Sequence, residues 1–399
     1  MINVLHINDK IENSGGVETN ISQLIHLGKD YGINGCWLGI YEKDNVLELK
    51  LYPNDEVVFN GDYTSFFNYI KAYIAENDVD ILHLHSLSNP KIIAFLFRLK
   101  PVVRSIHEPR IMCPGQGKFL RNSEEICDKP FGLDCIYYAY KEGCCNRHPK
   151  RLLQAYNNVK WETTNGNKGY RALIANSNYI IKEAIKVGFD KTKLYLNPHM
   201  TPTVEAHQLI DKSNADCKSL LYVGRLSRTK GTHYFINTGV ELLKKGYNIV
   251  LDIVGDGHDK AYFKSLIPKE YRDYFVFHGW QNREQINKFY ANCYLLVFPS
   301  IYPEAFGISG IEAMMHAKPV VAFNVGGIST WLKNNRSGYL VSVKDTQAML
   351  EKLETLINDK MIYKTISMQA REMALNKFQP KNHMLKLKEI YNRCLNRNI

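Results

Sequence analysis

Ser300 to Gly327 reads SIYPEAFGISGIEAMMHAKPVVAFNVGG, and this stretch decides the fold. It follows the apolar run YLLVFPS, crosses a turn containing Gly307, enters a helix carrying Glu312, and continues at once into a second apolar run, PVVAFNVGG. Strand, glycine turn, helix and strand make a βαβ unit. The ligand edge of such a unit is the turn after its first strand, where helix N-terminal amides point outward. Glu304 lies just before the helix and Glu312 eight residues later, so two carboxylates bracket one row of backbone amides. Amides suit an anionic group and carboxylates accept hydrogen bonds from hydroxyls. A ligand that satisfies both has phosphates and many hydroxyls, as a sugar nucleotide does; the plainer alternative is a Rossmann-like unit with two incidental glutamates.

Outward from this stretch the pattern repeats. In the second half, SLLYVGRLSRTKG sets Gly224 at a strand end, with Arg225 and Lys230 bracketing a short loop before a helix. Two cations and a glycine there can hold a diphosphate without a metal. NIVLDIVGDG and FVFHGW repeat strand and glycine turn, and the chain from Thr346 is helical. In the first half, INVLHI predicts a buried strand, and the loop after it holds Gly15 and Gly16 at the entry to a helix. The G-x-G-x-x-G spacing of dinucleotide enzymes is absent. GCWLGIY, VDILHLH and PVVRSIH read as further strands separated by helices, which predicts a parallel sheet covered on both faces. His85 and His107 end their strands, on the edge where ligands bind, and Glu108 follows His107. His83 and His85 share one strand face, but no third ligand at metal-binding spacing accompanies them.

Between Cys113 and His148 the periodicity disappears. Cys113, Cys127, Cys135, Cys144 and Cys145, five of the nine cysteines of the chain, fall in this insertion. A structural zinc site built from four of them is one reading and a set of packed, reduced thiols is the other. The domains are expected at 1–199, with the insertion at about 113–148, and at 200–379, with a polar linker at about 200–217; a final helix, 380–399, is expected to pack back on the first domain.

At 399 residues, 45% apolar and 23% charged, the chain has the composition of an ordinary globular protein. No apolar run is long enough to span a membrane, and MINVLHIND lacks the basic and apolar regions of a signal peptide. A cytoplasmic protein with reduced thiols is therefore expected. The formal net charge of +11 suits an anionic membrane surface or phosphorylated substrates, whereas no nucleic-acid-binding signature is present.

Together GGVE at Gly15 to Glu18, VGRLSRTKG at Val223 to Gly231, VGDG at Val254 to Gly257 and EAFGISGIE at Glu304 to Glu312 resemble glycosyltransferase family 4. The resemblance covers nearly the whole chain and implies an α/β fold of the GT-B type: two Rossmann-like domains with parallel sheets facing across a cleft. It implies a retaining, metal-independent glycosyltransferase that takes a nucleotide-sugar donor, a UDP- or GDP-sugar, and a glycan or lipid-linked acceptor of cell-surface polysaccharide synthesis. By that resemblance Arg225 and Lys230 bind the donor diphosphate and stabilise it as leaving group, and Gly15 and Gly16 let the first helix approach it. Glu312 takes the ribose hydroxyls. Glu304 and the amides of Phe306, Gly307, Ile308 and Ser309 hold the sugar, and the segment to Gly279 and Trp280 faces the base. His107 contacts donor sugar or acceptor, with His85 and Glu108 on the acceptor side; the family usually has aspartate where Glu108 stands. Asn197-Pro198-His199 departs from the usual Asn-Gly at the hinge. No cofactor is needed for this chemistry. A sugar-nucleotide epimerase of the same fold and a non-catalytic subunit that binds glycan or nucleotide are the alternatives.

Overall fold

Apolar runs of four to seven residues fold as buried strands here, because helices cover both faces of each sheet and leave no side for polar residues. The computed structural model describes residues 1–9, 16–52 and 56–396. The chain divides into two units, Met1–Asn122 with Cys127–Pro198 and Lys381–Ile399, and Ser123–Ile126 with His199–Pro380.

The first unit runs β1 (Ile2–Asn8), α1 (Gly16–Gly28), β2 (Ile33–Lys43), β3 (Val46–Tyr52), β4 (Glu56–Gly61), α2 (Tyr63–Glu76), β5 (Ile81–Leu84), α3 (Pro90–Leu96) and β6 (Val102–Ile106). After the two-residue strand β7 (Phe119–Leu120) the chain passes through β8 (Glu125–Ile126), which counts with the second unit, and then come α4 (Asp134–Glu142), α5 (Pro149–Trp161), α6 (Asn167–Gly169), β9 (Tyr170–Ala175), α7 (Asn178–Lys186) and β10 (Leu194–Leu196). Helix starts follow the capping residues: the Asp62 carboxylate accepts from Ser65 N at 2.9 Å ahead of α2, and the Asn89 side chain accepts from Lys91 N at 2.9 Å ahead of Pro90 and α3. Among the described residues the sheet has the order β10-β9-β6-β5-β1-β2-β3-β4.

Two expectations need correction. The sheet is mixed, since β2–β3 and β3–β4 pair antiparallel. Asp44 and Asn45 join β2 to β3 with φ of 52° and 64°, the left-handed pair that a two-residue hairpin turn requires. The insertion, aperiodic by sequence, contains the helix α4, which ends at Gly143 with φ 62°.

The second unit runs β11 (Lys218–Val223), α8 (Thr232–Lys244), β12 (Ile249–Val254), α9 (Lys260–Ser265), β13 (Phe275–Gly279), α10 (Arg283–Asn292), β14 (Leu295–Phe298), α11 (Ile308–Met315), β15 (Val320–Phe323), α12 (Ile328–Trp331), β16 (Gly338–Val341), α13 (Thr346–Asn358) and α14 (Lys360–Phe378). Its strands lie in the order β13-β12-β11-β14-β15-β16, and every pairing is parallel. From β11 the chain builds outward to β12 and β13, then returns to place β14 on the other flank. That reversal is a topological switch point, where the loops leaving two neighbouring strands part and open a crevice. The first unit has the same device between β1 and β5, which pair in parallel. The last helix, α15 (Pro380–Cys394), belongs to the first unit, where Tyr391 is fully buried. Among the described residues no helix is long and apolar enough to cross a membrane.

Candidate functional site

In the second unit the switch point lies between β11 and β14, and the loops that follow these strands are tied together. The amides of Ile301 and Tyr302 both donate to the Thr229 carbonyl at 3.1 Å. Gly231 has φ 72°, and a Cβ there would lie 1.8 Å from the Pro299 carbonyl oxygen, so only glycine lets the two backbones approach. This approach brings Lys230 to Glu304 across 74 residues of sequence: Lys230 Nζ donates to Glu304 Oε1 at 2.6 Å. Ser300 Oγ donates to the same oxygen at 2.7 Å, and the Glu304 carbonyl accepts from Gly327 N at 2.6 Å. Glu304 is buried and both ends of its residue are fixed. An ammonium has three donors, so Lys230 can serve Glu304 and an anion together.

Glu312, on the second turn of α11, is not brought to Glu304. Its Oε2 accepts from Tyr290 OH at 2.9 Å and its Oε1 lies 3.9 Å from Arg283. Burial pushes the Glu312 carboxyl above the usual glutamate range, against the opposing influence of Arg283 and Tyr290. α11 begins at Gly307, whose φ is 89°. Phe306 beside it is a core residue, its ring against His199 and Phe378 and its carbonyl accepting from Trp331 Nε1 at 2.5 Å. Its amide, Ile308 and Ser309 therefore sit on a braced turn. The Arg225 side chain is exposed, while its carbonyl accepts from Tyr222 OH at 3.0 Å. Gly224 N donates to Val254 O at 3.0 Å, which holds the turn after β11 to the end of β12. Gly279 ends β13 with φ 69°, and Trp280 is 76% exposed.

In the first unit the corresponding switch point lies between β1 and β5, and register places His6 opposite His83. A ladder of imidazoles results. His6 Nδ1 lies 3.0 Å from His85 Nε2, and His85 Nδ1 lies 2.9 Å from His107 Nε2. His83 hydrogen-bonds Tyr391 OH at 2.6 Å and Ser105 Oγ at 2.8 Å. Burial pushes His6 down to about 3 and holds His83 and His85 well below the usual histidine range. Each neutral ring has one donor and one acceptor nitrogen, so the tautomers of His6, His85 and His107 are coupled along the ladder. The third ligand that the sequence did not reveal is His6: nitrogens of His6, His83 and His85 lie within 4.8 Å of one another. Their hydrogen bonds nevertheless engage both nitrogens of His83 and of His85, so the group is a hydrogen-bonded ladder as it stands.

Glu108 is joined to Arg110 Nε at 2.8 Å, and Arg110 Nη1 reaches Asp9 at 2.7 Å and the Ser86 carbonyl at 3.1 Å. His85, His107, Glu108 and Arg110 border one small pocket. Gly16 opens α1, and a Cβ there would meet nothing within 4 Å; Gly15 lies outside the described residues. Cys113, Cys127, Cys135, Cys144 and Cys145 are free thiols that line one pocket. Sequence reasoning missed Tyr290, Arg283, Arg110, Asp9 and His6, because each acts through a partner that only folding supplies. The nearest signal was the position of His6 two residues from the end of its strand.

Comparison with known proteins fits this geometry. Residues 206–373 match the family model for glycosyl transferases group 1. An uncharacterized 41.2 kDa protein of the cps region of Klebsiella pneumoniae is 24% identical over 405 residues, covering 98% of this chain and 99% of that one. The capsular polysaccharide biosynthesis glycosyltransferase CapM of Staphylococcus aureus is 32% identical over 180 residues, which are 44% of this chain and 46% of that one. Among solved structures, a glycosyltransferase of Rickettsia africae superposes with a TM-score of 0.71 at 17% identity, covering 100% of this chain and 99% of that one. Anabaena Alr3699/HepE in complex with UDP gives 0.67 at 17% identity, covering 97% and 99%. The fold of the chain is therefore that of the GT-B glycosyltransferases, and its residues 206–373 are similar to the glycosyl transferases group 1 family.

Proposed function

We propose that this protein is a retaining glycosyltransferase that moves a sugar from a UDP- or GDP-sugar to a glycan acceptor, a lipid-linked intermediate of cell-surface polysaccharide synthesis. The observation that carries the reading is the Lys230–Glu304 pair at 2.6 Å, held at the switch point by Gly231 and Ser300. One member suits phosphate and the other suits sugar hydroxyls, so the pair fits the junction of a nucleotide sugar. Glu312, beyond the helix turn, takes the ribose. As the glycosidic bond stretches, negative charge grows on the diphosphate. Lys230, the exposed Arg225 and the amides opening α11 stabilise it, and no metal is required. Retention follows a front-face path in which the leaving diphosphate oxygen helps remove the acceptor proton. The relatives named for capsular and lipopolysaccharide synthesis support the acceptor class, and the charge of +11 supports a peripheral position on an anionic membrane.

A thermal-shift screen over UDP- and GDP-sugars tests the donor half. A ligand at about 100 times its Kd adds about 2.7 kcal/mol of stability. The best donor is then incubated with lipid-linked acceptors in the presence of a metal chelator, and the product anomer is read by NMR. An inverted linkage, or transfer that stops with the chelator, contradicts the reading. Conversion of the donor sugar without any acceptor would identify an epimerase.

A further inference from the structure

Within residues 113–148 the buried apolar side chains, among the described residues, are Pro114, Phe119 and Ala139. Three such side chains are far too few to order a segment of that length by burial. Something else holds it. The cysteines converge from four separate pieces of backbone: Cys113 after the turn that follows Arg110, Cys127 after β8, Cys135 in the first turn of α4, and Cys144 and Cys145 beyond its end. Together with Phe119, Tyr138, Pro114 and Pro130 they enclose one pocket.

We infer that Cys113, Cys127, Cys135 and Cys144 bind a soft, thiophilic metal as a structural centre, with Cys145 outside the ligand set. Cys144 has Cys113, Cys127, Cys145 and Cys135 as its electrostatic neighbours. Burial pushes the Cys113, Cys135 and Cys145 thiols up, and backbone amides oppose it: those of Gly115 and Lys118 at Cys113, that of Gly132 at Cys135 and that of Asn146 at Cys145. Amide hydrogens aimed at sulfur stabilise thiolate, the form that binds metal, and orient it. Cys145 is committed elsewhere, its Sγ donating to the Pro114 carbonyl at 3.3 Å. Lys118 supplies buried positive charge beside Cys113 and Cys135 and is itself anchored by Glu183 at 2.8 Å. Gly115 lies against the Cys144 carbonyl, where a Cβ would come within 2.1 Å, so the Cys113 and Cys144 backbones are pressed together.

Two centres share this chemistry. A single zinc ion draws four sulfurs to about 2.3 Å from itself, whereas an iron–sulfur cluster spans a wider cradle. The centre has a consequence for the neighbouring pocket, because Cys113 and Pro114 also line a cleft with Arg110, Arg151, Gln154 and Asn158. The metal therefore fixes one wall of that cleft and the segment following His107.

The test uses the full-length protein purified without chelator under anaerobic conditions, with elemental analysis for zinc and iron, acid-labile sulfide and the visible spectrum. About one zinc per chain, or iron with matching sulfide and visible absorption, supports the centre and distinguishes the two forms. Metal below about a tenth of an equivalent, both as purified and after reconstitution with Zn2+ or with Fe2+ and sulfide, overturns it. Cys144→Ser and Cys127→Ser lose the metal, whereas Cys145→Ser and the exposed Cys217→Ser keep it. Loss on Cys145→Ser with retention on Cys144→Ser overturns the assignment. Should the serine variants fail to fold, Co2+ added to the wild-type apoprotein gives thiolate charge-transfer bands if the site exists, and none if it does not.

Discussion

Glu312 sits where its charge is disfavoured, and that makes it a sensitive residue. Its folded pKa is raised by burial above the ordinary glutamate value of 4.5. Such a group contributes stability that is fully present below the unfolded pKa and is lost as pH rises through the folded one. At neutral pH the carboxylate therefore burdens the fold. Glu312→Gln should melt higher than wild type at pH 7, with the advantage shrinking toward pH 4, while nucleotide affinity falls roughly 10-fold or more because ribose hydroxyls lose a charged acceptor. A melting series with and without nucleotide reads both effects. Lys230 carries the opposite charge and a different cost. Lys230→Ala leaves Glu304 with Ser300 as partner and should lower kcat roughly 100-fold; transfer near the wild-type rate would remove Lys230 from the diphosphate site.

Turns decide the next level, and two glycines at strand-to-helix turns are expected to respond differently. Gly231 is locked by its own fold, with φ 72° and backbone oxygen 1.8 Å from any added Cβ. Gly231→Ala should lower stability by about 2–4 kcal/mol, visible as a lower denaturation midpoint, and displace Lys230 with it. Gly16 has open space around it, so alanine there should leave the melting temperature unchanged. If the opening of α1 approaches the donor phosphates, as the family resemblance implies, Gly16→Ala still lowers kcat/KM. A normal kcat/KM would show that this turn meets no ligand.

At the scale of the whole chain, buried histidines set the response to acid. His6, His83, His85 and His383 in the first unit and His316 in the second are all depressed by burial, His6 to about 3 and His316 and His383 to about 4. Their unfolded forms take up protons below about pH 6.5, before the folded forms can. Stability is thus fully present above pH 6.5 and lost progressively as pH falls toward about 4. Melting temperatures that stay level between pH 7.5 and 5 would contradict this. The net charge of +11 has a second expected readout: co-sedimentation with anionic but not zwitterionic vesicles, weakened by about 0.5 M salt.

Most of the elements were legible from periodicity, because a strand covered on both faces must be apolar throughout and a helix must repeat its buried face. β3 and β4, which mix polar and apolar residues toward the sheet edge, were not read; the Asp44-Asn45 turn and the alternation of Leu47, Leu49 and Leu51 were their local marks. The sequence by itself determined the strand-turn-helix units, the glycine turns and the residue types beside them. Tertiary structure alone decided the pairings: Lys230 with Glu304, Glu312 with Tyr290, and His6 with His85. The reason is physical. Local pattern fixes which face of an element is buried, but strand order fixes which loops meet, and both sheets here reverse direction at the point where the candidate residues come together.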